Sequence, residues 1–99
     1  MAPFKARTLI ETDLYREGKE ALAIDCKRLD EILDGITGKI AVEPKYFPIA
    51  PGLESVRRAR TQEFPPNIPS FRVWYTYDSQ TATLHLIERT PMDELPVPE

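Results

Sequence analysis

Cysteine and histidine are nearly missing from this chain of 99 residues, which holds one of each, Cys26 and His85. A single cysteine excludes an internal disulfide framework, and together the two cannot supply a multi-cysteine zinc site or a histidine pair for metal chemistry. The sequence therefore implies neither metal nor cofactor. There are only four glycines, and no glycine-rich phosphate loop, HExxH or G-x-S-x-G is present. No apolar run approaches the roughly 20 residues that cross a bilayer. The opening Met1-Ala2-Pro3-Phe4-Lys5 lacks a charged segment followed by an apolar stretch, so a cytoplasmic protein without membrane contact is expected.

Charge of either sign is not in large excess, the net value being −3. Met1 to Ala50 carries 8 positive and 9 negative residues, and Pro91 to Glu99 carries none and 3. Pro51 to Thr90 carries 5 and 4, and all five positives are arginine. A balance this close to zero over the folded part argues against indiscriminate polyanion binding and leaves room for a local arginine site.

What is present is enough for one domain with one core. Apolar residues make up 41% of the chain, and a chain of about 100 residues buries roughly two thirds of its unfolded surface. Residues 1–90 read as a single domain and residues 91–99, with three prolines and three carboxylates, as an acidic disordered tail. Phe4 to Ile10 alternates as a first strand does. Thr12 to Ile24 reads as a short or irregular helix weakened by Gly18. Leu29, Ile32, Leu33, Ile36 and Ile40 form the apolar stripe of an amphipathic helix, N-capped by Asp25 and ended by Pro44. Gly35 and Gly38 inside it lower helix propensity and leave room for a neighbouring backbone to approach, their role being left open. Six of the ten prolines lie between Pro44 and Pro69 and mark loops over Glu43–Gly52 and Glu63–Ser70, with a strand from Leu53 to Thr61 between them. Phe71–Tyr77 and Thr81–Ile87 form an antiparallel pair joined by Asp78-Ser79-Gln80. The order β-α-α-β-β-β gives an α+β domain: a small antiparallel sheet with a helical layer on one face.

Alternation along a strand puts Arg58 and Arg60 on one face and Arg57 on the other, and Arg72 on the next strand can join either set. Two readings follow: solvated charges with their stems over apolar surface, or a guanidinium cluster that grips phosphate or carboxylate. Trp74, Tyr75 and Tyr77 are read mainly as core, with base stacking as the alternative. His85 is the one side chain suited to proton transfer near neutral pH, although within a strand it reads first as a packed or surface partner. Cys26 reads as an inert small residue opening a helix.

Gly52-Leu53-Glu54-Ser55-Val56-Arg57-Arg58-Ala59-Arg60, then Phe71-Arg72-Val73-Trp74-Tyr75 and Thr83-Leu84-His85-Leu86-Ile87, resembles the RelE/ParE toxin superfamily of bacterial toxin–antitoxin systems. That family has a basic strand, an aromatic-Arg-Val-x-Tyr strand and a β-rich last strand. The resemblance implies a toxin neutralised by a cognate antitoxin. RelE-like members are ribosome-dependent endoribonucleases that cut messenger RNA, while ParE-like members bind DNA gyrase and are not nucleases. By resemblance Arg72 would hold the scissile phosphate, Arg58 and Arg60 would assist, and Arg89 would take the place of a basic residue after the last strand; Arg57 and Trp74 are further candidates for RNA or phosphate contact. The stretch after the last strand, Arg89 to Asp93, holds neither the tyrosine nor the histidine common there in the family's nucleases. A non-enzymatic, protein-interacting member of the fold is the alternative, and the oligomeric state is left open.

Overall fold

The computed structural model describes residues 6–61 and 70–90, so the expected acidic tail, most of the loop after Thr61 and the first two residues of the expected Phe4–Ile10 strand lie outside the described residues, while Ala6 and Arg7 precede the strand, which starts at Thr8. The elements are β1 (Thr8–Glu11), α1 (Asp13–Ala23), α2 (Leu29–Val42), a 3₁₀ turn (Pro44–Tyr46), β2 (Arg57–Arg60), β3 (Phe71–Tyr77) and β4 (Thr81–Arg89). The α+β class and the order of elements are as expected, with both helices on one face of a four-stranded sheet ordered β1-β4-β3-β2. The sheet is mixed, however, and not wholly antiparallel. β1 runs parallel to β4 with Thr8 opposite Thr81, because the chain crosses the helical face before it returns to β1's side. β2, β3 and β4 are antiparallel.

Side-chain alternation on β3 fixes which face is buried. Phe71, Val73 and Tyr75 are at most 1% exposed, and Arg72 and Trp74 between them are half-buried on the other side. The inward set packs with Ala59, Ala82, Leu84 and Ile87 of the sheet against Tyr15 of α1 and Leu29, Leu33, Ile36 and Ile40 of α2. Each large apolar side chain buried this way contributes about 1.5–3 kcal/mol. The Tyr75 hydroxyl reaches through this layer and donates to the carbonyl of Pro44, tying the end of the helical layer to the sheet.

α1 is regular because Thr12 caps it: the Thr12 hydroxyl accepts from the Tyr15 N–H at 3.1 Å and donates to the His85 carbonyl at 3.0 Å. Gly18 belongs to the contact with β4, where an added Cβ would lie 3.0 Å from the Ile87 carbonyl oxygen. No close approach is found at Gly35 or Gly38, since among the described residues nothing lies within 4 Å of a Cβ at either position. Asp25 is likewise not the cap of α2. Its N–H closes the end of α1 on the Leu22 carbonyl at 3.2 Å, and α2 starts at Leu29 after Arg28, with no side-chain cap. Cys26 lies in the connection, packed against the core. β2 is shorter than expected because Gly52, at φ +78°, turns the chain within a loop closed by the Ala50 N–H on the Val56 carbonyl. In the β3–β4 turn Asp78 does the work of a glycine: its Oδ1 accepts from the Gln80 and Thr81 N–H groups, both at 2.7 Å. These bonds hold its carboxyl below the usual range.

β4 contains one extra residue. From Tyr77 to Tyr75 the partners are Ala82, Thr83 and Leu84, whereas Trp74 faces Leu86 and Arg72 faces Glu88. His85 is bulged out of the ladder, and every pair beyond it is shifted by one.

Gly18→Ala should destabilise the fold by about 1–2 kcal/mol, because overpacking against the Ile87 backbone outweighs the helix-propensity gain. Gly38→Ala should stabilise it by about 0.5–1 kcal/mol. Urea unfolding of the two variants checks both signs. Burial pushes the Tyr75 phenol up to about 12. Its stabilising contribution is full below the free phenol's value of about 10 and is lost as pH rises through the folded value. Unfolding midpoints measured across that alkaline window should fall less steeply for Tyr75→Phe than for the wild type.

Candidate functional site

The face of the sheet opposite the helices is assembled by the register. Arg60, Arg72 and Glu88 stand side by side on β2, β3 and β4, and Arg58, Trp74 and Leu86 form the next row. Neighbouring strands are about 4.8 Å apart, so each row brings its side chains into reach of one another. Beyond them on the same face Thr76 Oγ1 and His85 Nε2 share a hydrogen bond of 2.7 Å. β1 adds Thr8 and Ile10 at the far edge, opposite Thr81 and Thr83.

Two arginines in direct cross-strand register, Arg60 and Arg72, would repel in isolation. Glu88 offsets this. Arg72 Nε donates to Glu88 Oε1 at 2.6 Å, and Nη2 donates to the same oxygen. The Arg72 guanidinium also lies 4.9 Å from the centre of the Trp74 ring, a cation–π contact that fixes the indole. Its side chain is only 12% exposed. The head of Arg72 is therefore held inside the protein, by a carboxylate on one side and an indole on the other. Arg58 differs. Among the described residues its guanidinium makes no hydrogen bond or ion pair, and its backbone N–H is fixed by the Pro48 carbonyl at 3.0 Å.

Of the six residues expected to carry the site, Arg58, Arg60, Arg72 and Trp74 share one face. Arg57 does not join them. It stands on the helix side opposite Tyr75, where Nη1 donates to the Phe47 carbonyl at 2.6 Å and its guanidinium lies 6.0 Å from the Tyr77 ring centre, so it braces the loop before β2. Arg89 is exposed at the end of β4 opposite Phe71, on the parity that faces away from Arg72. The stacking alternative therefore survives for Trp74, while Tyr75 is core and Tyr77 packs beside it. Glu88 and His85 were not anticipated on this face. The signal for His85 is alternation from the inward Ala82 and Leu84, and for Glu88 it is the break in that period of two before Ile87.

On the helix side a mostly apolar groove of about 350 Å³ runs between α2 and the end of β2, lined by Ile32, Gly35, Ile36, Phe47 and Thr61, with Glu31 and Arg60 at its rims. Among the described residues no cluster of three or more histidines, cysteines or acids is placed to hold a metal ion. No helix among them is long and apolar enough to cross a membrane. No protein-family model matches the chain, and no curated protein matches it.

Arg72→Ala should lower stability by about 1–3 kcal/mol, since it strips Trp74 and leaves a half-buried carboxylate without its partner. It should also shift the fluorescence of Trp74, the sole tryptophan. Arg58→Ala should stay within about 0.5 kcal/mol of the wild type, as surface substitutions do. Equal losses in denaturant titration would contradict this division of roles.

Proposed function

We propose that the protein is a RelE/ParE-like toxin that cuts messenger RNA in the translating ribosome, gripping the strand on the open face of its sheet. The observation that carries this reading is the row of Arg58 beside Trp74, next to the row of Arg60 and Arg72, all on the face without helices. Single-stranded RNA is held elsewhere by the same combination, bases stacking on an aromatic ring while cations meet the phosphates. In this reading a base stacks at Trp74 and the adjoining phosphate meets Arg58. A planar cation placed there stabilises the charge that builds on a pentacoordinate phosphorus more than the charge of the ground state. The roles expected from the resemblance alone are redistributed: Arg58 takes the phosphate, Arg60 assists, and Arg72, committed to Glu88, sets the position of the indole and of its neighbours. The cognate antitoxin would seat an amphipathic helix in the groove of Ile32, Ile36 and Phe47, in the manner of helix-in-groove partners.

The Arg72–Glu88 pair favours a second reading, a non-enzymatic member that binds DNA gyrase or another protein, because the arginine matched to the phosphate is already neutralised. One experiment separates them. Induction of the wild type should arrest growth and cleave messages in a translating extract, and Arg58→Ala should lower cleavage by about 10²-fold or more while remaining folded. Arrest with intact messages and blocked supercoiling would select the gyrase reading, and no arrest would select an interaction protein.

A further inference from the structure

An RNA strand can be cut by its own ribose 2′-hydroxyl, a step that needs a group to remove the hydroxyl proton, and neither the arginines nor Trp74 can do so. The geometry points to His85 as that group, an inference that rests on the nuclease reading above. Three observations lead there. The first is placement at the bulge: alternation from Leu84 stands His85 on the open face beside Thr76, and the extra residue puts Leu86 on that face too, so the imidazole adjoins the row of Arg58 and Trp74. Bulges are over-represented next to active sites.

The second is the restraint on the ring and on the backbone that carries it. Nε2 is tied to the Thr76 hydroxyl at 2.7 Å, and the His85 carbonyl is held by the Thr12 hydroxyl at 3.0 Å. With Nε2–H donating to Thr76, the tautomer leaves Nδ1 with its lone pair available, and among the described residues Nδ1 has no partner. The third is position. His85 adjoins Leu86, which closes the row of Arg58 and Trp74, so a nucleotide whose base stacks on Trp74 has Arg58 on one side and the imidazole on the other. Among the described residues the charged groups of this face are Arg58 and Arg60 from β2, Arg72 from β3 and Glu88 from β4, and β1 presents Thr8 and Ile10.

The step balances as follows. The 2′-oxygen forms a bond to phosphorus as the bond from phosphorus to the 5′-oxygen breaks, giving a 2′,3′-cyclic phosphate and a 5′-hydroxyl. The 2′-hydroxyl proton passes to His85 Nδ1. The departing 5′-oxygen takes a proton from water, and the imidazolium returns its proton to the hydroxide so formed. No oxidant, metal or cofactor enters.

The test compares the wild type with His85→Gln and His85→Ala, following message cleavage in a translating extract across pH and binding of a short single-stranded RNA by Trp74 fluorescence. His85→Gln should bind the RNA within about twofold of the wild type, cleave about 10²- to 10⁴-fold more slowly, and lose the acidic limb of the pH–rate profile. Added imidazole should restore part of the activity of His85→Ala, which a purely structural histidine would not allow. A His85→Gln variant that cleaves within threefold of an active wild type would overturn the role of His85 and leave the nuclease reading intact. A wild type that binds RNA and cuts nothing would defeat the nuclease reading and His85 with it.

Discussion

The single extra residue in β4 is the constraint on which the architecture depends. The Asp78 turn sets the pairs nearest to it, Tyr77 with Ala82 through Tyr75 with Leu84. Continued without interruption, that ladder would put Ile87 opposite Arg72 and Glu88 opposite Phe71. A one-residue slip exchanges the two faces of a strand, so a carboxylate would enter the core and an isoleucine would leave it. The bulge at His85 absorbs the slip. Ile87 then faces Val73 inside, and Glu88 faces Arg72 outside.

From that register the electrostatics of the open face follow. Three guanidinium groups within two rows would raise the free energy of the folded state through mutual repulsion. One carboxylate, Glu88 on β4 beside the central Arg72, moderates this without removing the positive balance. The same ion pair orients Trp74 by holding the guanidinium against its ring. A face of this kind combines a fixed aromatic surface with cations of unequal freedom, Arg72 locked and Arg58 without an internal ionic partner among the described residues. The described part of this face is net positive, in a molecule whose overall charge is negative.

Much of this was legible in the sequence. The stripe from Leu29 to Ile40 specified α2, and the aromatic and β-branched run of Phe71–Tyr77 specified β3 residue for residue. Alternation alone separated Arg57 from Arg58 and Arg60. What could not be read locally was decided by partners distant in the chain. β1 is parallel because its neighbour is β4, more than 70 residues away. Gly18 is needed because Ile87 crosses it, whereas Gly35 and Gly38 have no such neighbour among the described residues. Asp25 had the chemistry of a cap but was taken up in closing the preceding helix. Arg72 matched a motif by its identity, yet its role was set by Glu88, sixteen residues downstream and reached only through the bulge.

Thr12 gives the two sides of the molecule a common joint. One hydroxyl closes the first turn of α1 and also holds the backbone of the residue that departs from the ladder on the other side of the sheet. The docking of α1 and the aim of the imidazole are thus inherited together. Substitutions along the buried edge of that helix should show epistasis with substitutions around His85.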